Sequence, residues 1–257
     1  MNESLIYQTD TWLLCLILFL LMTGMVWIGA ILRNRKEEAT PLSAIEGSLF
    51  GLLGLLLAFT FSMSASRYDA RKAIMVEEAN DIGTALLRAD MYEDSLRNAF
   101  RQDFQEYIKA RIAYYDAGRD TMLFNQAKVN TEIIFKSLWS RAIQGSRKAE
   151  NITATQQMIP ALNTMYDATT LRTAAGKSRV PDSIIVLLFL LSMACSFFAG
   201  YVIPSGKKME KITILGFVVL TILVIYVILD LDRPRRGIIN MDEQQQYFKA
   251  LLINQEK

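Results

Sequence analysis

Residues 47–66 read GSLFGLLGLLLAFTFSMSAS, and residues 67–90 follow at once with RYDARKAIMVEEANDIGTALLRAD. The first stretch holds no charge. The second holds no proline and one glycine, Gly83. Nothing in the text stops a helix where an apolar span would leave a bilayer. The spacing therefore predicts one unbroken helix from Ser43 to Asp90, roughly 70 Å long against roughly 30 Å of hydrocarbon. Such a helix would join a membrane bundle rigidly to a helical domain in water.

The 257 residues are 52% hydrophobic, and the apolar excess is concentrated. Four charge-free blocks carry it: Thr11 to Leu32, Gly47 to Ser66, Ser183 to Ile203 and Ile212 to Leu229. Each is long enough to cross a bilayer as a helix, with backbone hydrogen bonds satisfied internally. The first reads as a retained anchor, since no Lys or Arg precedes it and no small-x-small cleavage site follows. Trp12 and Trp27 sit towards its ends, as interfacial aromatics do. Pro41, Pro181, Pro204 and Pro234 flank the apolar blocks, where a proline costs a helix least. Cys15 and Cys195 both fall inside the blocks and read as small buried hydrophobes, not as a disulfide framework.

The expected organisation is a first transmembrane hairpin over 1–66 (spans 11–32 and 45–66), a helical extramembrane domain over 67–180, a second hairpin over 181–230 (spans 182–203 and 212–230), and a charged tail over 231–257. The middle region has helical spacing throughout. Ile82, Ala85, Leu86 and Ala89 end the long helix. Leu96, Phe100, Phe104, Tyr107, Ile108, Ile112 and Tyr115 form a second stripe, Ile134, Leu138 and Ala142 a third, and Met158, Leu162, Met165 and Thr169 a fourth. Gly118 and Gly145 separate these segments, and Gly176 ends the last. The fold class is thus an all-α integral membrane protein with four transmembrane helices and an inserted antiparallel four-helix bundle. The tail near Ile238 to Leu252 reads as a short amphipathic strand or helix, or as disorder.

Two short loops, 33–44 and 204–211, are dense in Lys and Arg, while the first ten residues have none. The positive-inside rule places those loops in the cytoplasm and the helical domain on the periplasmic side of the inner membrane. The domain itself is balanced, with 17 Lys and Arg against 14 Asp and Glu between 67 and 180. The signs alternate without a basic stripe, so no nucleic-acid partner is expected.

Three constellations stand out. In the second span Gly47, Ser48, Gly51 and Gly54 form a small face. Thr60 and Ser62, with the aromatics Phe59 and Phe61, continue it. The face is either a helix-packing seam or the lining of a pore. Thr60, Ser62, Ser64 and Ser66 alternate by two, which no single helical face can hold. A charged collar follows, with Arg67, Asp69 and Arg71 after the second span and Asp230, Asp232, Arg233, Arg235 and Arg236 after the fourth. An even number of crossings puts both groups on one membrane face. They read either as anchors and salt bridges between helix ends or as a charge ring at a pore mouth. Above the collar lie Glu77, Glu78, Asn80 and Asp81. They form a solvated or salt-bridged acidic patch, a hard-cation site, or, for Asn80, a buried polar contact that sets register.

Enzyme chemistry is not expected. There is no histidine, no cysteine outside the spans, no Gly-rich phosphate loop and no metal-ligand spacing. Neither a catalytic residue nor a metal or other cofactor is assigned.

The motifs GSLFGLLGLLLAFTFS, SRYDARK, EEANDIGTALLR and DLDRPRRG, in that order, resemble the bestrophin-like domain family over about Glu46 to Gly237. The matching positions are Gly47, Phe50, Gly51, Phe59, Phe61, Ser62, Arg67, Asp69, Arg71, Glu78, Asn80, Gly83, Thr84, Arg88, Asp230, Asp232, Arg233, Pro234, Arg235 and Gly237. The resemblance implies an architecture akin to bestrophins, which are pentameric anion channels. It also implies a domain that faces the cytoplasm, against the positive-inside count. The Gln-rich tail after Gly237 departs from the family's more apolar ending. Two functions remain. One is an oligomeric, anion-leaning ion channel whose second span lines the pore, with the lipid bilayer, small ions and further copies of the chain as partners. The other is a non-conducting membrane sensor or scaffold whose helical domain binds a ligand or protein.

Overall fold

The computed structural model describes residues 5–33, 44–202, 208–233 and 237–253. Its elements are helices, with no strand among the described residues: α1 Leu5–Gln8, α2 Thr11–Leu32, α3 Ala44–Ala89, α4 Asp94–Asp116, α5 Thr121–Gly145, α6 Ile152–Lys177, α7 Asp182–Val202, α8 Lys208–Leu231 and α9 Asp242–Ile253. The decisive helix α3 has 46 residues without interruption, about 69 Å at 1.5 Å per residue. Four helical segments are long and apolar enough to cross a membrane. The basic loops at 33–44 and 204–211 lie mostly outside the described residues.

The chain divides into two compact units. The first comprises Met1–Arg67 and Arg179–Arg233, and the second Tyr68–Ser178 and Pro234–Lys257. In the first unit α2 and α7 run parallel, side by side. Tyr7 bonds the carbonyl of Val180 at one end, and Arg33 bonds that of Val202 at the other. Between these ties the backbones nearly touch. A Cβ added to Gly29 would stand 2.2 Å from the Phe197 carbonyl oxygen, and one on Gly200 would stand 2.0 Å from that of Val26. Only glycine permits this approach, which is how helices associate closely in lipid. Leu18, Met22, Leu188, Cys195, Ile225 and Ile228 fill the interior, and α3 adds Leu53. The outward faces are equally apolar: Trp12, Leu20, Trp27 and Ile31 are exposed on α2. A helix apolar all round belongs in lipid. Its hydroxyls turn back on their own helices, Thr60 Oγ1 donating to the Leu56 carbonyl and Ser192 Oγ to that of Leu188, both at 2.7 Å.

The second unit packs the C-terminal half of α3 with α4, α5 and α6. Met75, Ala79, Ile82, Ala85 and Ala89 of α3 meet Phe100, Phe104, Tyr107 and Ile108 of α4, Leu138 and Ala142 of α5, and Met158, Leu162 and Met165 of α6. These are the stripes expected from spacing. The α4–α5 turn uses Gly118 at φ 49°, and Asp120 caps α5 by accepting from the amides of Met122 and Leu123. A further helix joins the four. The Gln-rich tail forms α9, which buries Phe248 completely in the same core. Amphipathic spacing decides between the readings left open for that tail: Phe248, Leu251 and Leu252 lie on one face of α9 against the bundle, and Met241 just before the helix joins the same core.

Candidate functional site

The second-span face is built on α3. A Cβ on Gly47, Gly51 or Gly54 would meet nothing within 4 Å, so these glycines do not form a close-approach seam within the chain. Ser48 and Ser62 are exposed, and Phe59 and Phe61 are 65% and 41% exposed. Thr60 departs from the group. It is 1% exposed and points into the first unit. Ser64 is buried likewise, while Ser66 is exposed. Two residues along a helix turn the side chain by about 200°, so alternate hydroxyls must take opposite faces. Leu55, Phe59, Ser62 and Ser66 form an exposed series at steps of three and four, with Leu52, Ala58 and Phe61 exposed beside it. In the second unit the same helix exposes Asp69, Ala73, Glu77, Asn80, Thr84 and Leu87, continuing those steps.

Most of the collar is packed away. Asp230, Asp232 and Arg233 are buried. Asp232 Oδ2 accepts from the Val180 amide at 2.7 Å, and the Tyr7 hydroxyl, 2.7 Å from both that oxygen and the Val180 carbonyl, shares its one proton between them. Arg233 Nη1 donates to the Thr9 carbonyl at 2.6 Å, and the Arg179 guanidinium lies 4.5 Å from the Tyr7 ring. Burial, then the Asp232 carboxylate, push the Tyr7 hydroxyl well above its usual range. The end of α8 is thereby fastened to α1 and to the start of α7. Arg71 is buried in the second unit, donating to the carbonyls of Ala175 and Ser178 at 3.3 and 3.0 Å. A cation at a helix C-terminus satisfies orphan carbonyls and opposes the dipole. Arg67 is half-buried. Among the described collar residues Asp69 alone is exposed. Arg235 and Arg236 lie outside the described residues.

The acidic patch splits by helical phase. Glu77 and Asn80 are exposed, and Asp81 is half-buried. Asn80 therefore makes no buried register contact: it faces away from the core that Glu78 enters. Glu78 is 0% exposed and joins two arginines, Arg111 of α4 through Nε and Arg172 of α6 through Nη1, the latter at 2.8 Å. Its partners are bundle residues, not collar residues. Burial opposes the ionised form of Glu78, yet the fields and hydrogen bonds of Arg111 and Arg172 prevail and hold its carboxyl below the usual 4.5. The Tyr114 ring lies 4.6 Å from the Arg111 guanidinium carbon and 5.5 Å from that of Arg172. Phe248 lies 5.2 Å from the latter. Beside them Tyr107 shares a 2.9 Å hydrogen bond with Thr169, and burial pushes its hydroxyl up to about 12. The expectations from sequence singled out neither arginine. A signal existed: Arg111 continues the stripe at 104, 107 and 108, and Arg172 continues that at 162, 165 and 169.

No group of three or more metal-ligating side chains occurs among the described residues. The geometry defines a class: an all-helical protein with four membrane-length helices, one of which continues unbroken into a helical bundle. Within that class the chain belongs to the Bestrophin-like domain family, whose model matches residues 16–245. The fold is similar to that of a bacterial bestrophin homologue from Klebsiella pneumoniae, solved as a point mutant. The likeness has a TM-score of 0.72 over 95% of this chain and 99% of that one, at 12% identity. No curated protein matches the sequence.

Proposed function

We propose that this protein is an oligomeric ion channel of the cell membrane, leaning towards anions, in which α3 lines the ion path. One observation carries the reading: the face of α3 exposed within the chain recurs at steps of three and four along its membrane-length half and on into the bundle. Small and apolar groups, Gly51, Leu55 and Phe59, come first; Ser62, Ser66 and Asp69 follow. An apolar constriction followed by a polar track is a recurrent channel lining. Four spans in one chain are too few to enclose an aqueous path, so several copies must supply α3 together. The anion preference rests on kinship with bestrophins. The helical domain is assigned to the side opposite the basic short loops.

Purified protein in liposomes is expected to pass small anions without any partner. Ser62→Cys is expected to make that flux sensitive to a charged, membrane-impermeant thiol reagent, and Thr60→Cys to leave it unchanged, because Thr60 points inward. Absence of flux from wild-type protein under any voltage would favour the sensor or scaffold instead. Block through Thr60→Cys but not Ser62→Cys would remove α3's exposed face from the path.

A further inference from the structure

The charges buried together in the second unit do not balance. Glu78 supplies one negative charge, whereas Arg111 and Arg172 supply two positive ones, and an arginine keeps its proton in any protein environment. Neither guanidinium pairs with any other carboxylate among the described residues. Asp81 is held above its usual range by burial and by Glu77 and Glu78. Asp116 accepts from Gln245 at 3.3 Å. The rings of Tyr114 and Phe248 offset part of the excess through their negative faces. An aromatic face is weaker compensation than an anion for a charge withdrawn from water. One atom is left over. Arg111 Nη2 is fully buried and has no hydrogen-bond acceptor among the described residues.

We propose that Arg111 and Arg172 form a binding site for one small monovalent anion of the halide class, held at Arg111 Nη2. A single negative charge there completes a cluster of two cations and two anions. A monatomic ion suits a site that offers one open guanidinium nitrogen, because a larger oxyanion would need several donors. Tyr114 is the gate. Its ring covers both guanidiniums and is itself 7% exposed, so its displacement opens the cluster to solvent. The site lies on the inward side of α3, on the opposite face from Glu77 and Asn80. Binding therefore does not rest on whether the protein conducts.

The test uses the full-length protein in detergent, with sodium chloride or sodium gluconate at equal ionic strength. Chloride is expected to raise Tm saturably above gluconate. Arg172→Gln leaves a neutral Glu78–Arg111 pair and is expected to abolish that difference. Crystals soaked in bromide are expected to show an anomalous peak within hydrogen-bond reach of Arg111 Nη2, which decides the matter on wild-type protein should the variant fail to fold. Equal Tm in both salts, a chloride effect undiminished in Arg172→Gln, or bromide crystals without a peak at Arg111 would each overturn the assignment.

Discussion

Glu78 shows how much one side chain can decide. Its carboxylate is the counter-charge for two guanidiniums in the core of the second unit. Glu78→Gln removes that charge and leaves two buried cations, a loss of about 3–5 kcal/mol by analogy with broken buried ion pairs. Thermal unfolding of the two proteins at pH 7 measures it. The pH dependence follows in sign. The folded carboxyl sits below its ordinary 4.5, so its contribution is complete above that value and is lost as pH falls through the folded one. Between pH 6 and 3, Tm should therefore fall more steeply in wild-type protein than in Glu78→Gln; parallel curves would show that Glu78 is not ionised in the fold. Part of this was legible in the sequence. Met75, Glu78, Ile82, Ala85 and Ala89 share one phase, and Arg111 and Arg172 interrupt apolar stripes without breaking their spacing. The pairing itself was not legible, because a charge in a helix reads by default as solvated, and only tertiary packing brings α4 and α6 to the same carboxylate.

Among the elements, the spans were legible and their contacts were not. Length and hydropathy place α2, α7 and α8 within a few residues. In a segment apolar on every side, however, no periodicity marks the face that meets a neighbour. The glycines of α3 drew attention by their spacing, yet the tight crossing inside the chain is made by Gly29 of α2 and Gly200 of α7. Gly29→Ala and Gly200→Ala would each drive a methyl group into a backbone carbonyl, which cannot swing aside. The helices must separate, at a cost of about 1–3 kcal/mol for each variant. Gly51→Ala on the open face of α3 should cost far less, and Tm in detergent distinguishes them. The tail is a second case. Its sequence leaves an amphipathic strand, a helix or disorder open, and the burial of Phe248 makes α9 part of the bundle. Phe248→Ala should destabilise by about 3–5 kcal/mol. Amides of residues 242–253 should then exchange hydrogen faster than those of α4, because the helix loses its only fully buried aromatic anchor.

At the scale of the whole molecule, the proposed channel depends on what would repeat if chains assemble. Every residue on the exposed face of α3 would recur once per subunit around a shared axis, and among the described collar residues Asp69 is the exposed one, with Arg67 half-buried. A ring of aspartates at the path would repel anions and concentrate cations. It would thus work against the anion preference that kinship with bestrophins suggests. Asp69→Arg reverses that ring. In planar bilayers under a salt gradient, the reversal potential should move towards the anion equilibrium potential relative to wild type. The shift should shrink as ionic strength rises and the Debye length falls to about 3 Å at 1 M. Asp167→Arg, at an exposed position of α6, makes the same change in net charge away from α3 and should leave the reversal potential unmoved. Equal shifts in both variants would mean that selectivity reads total charge and not a lining; no shift in Asp69→Arg would place the ion path elsewhere than along α3.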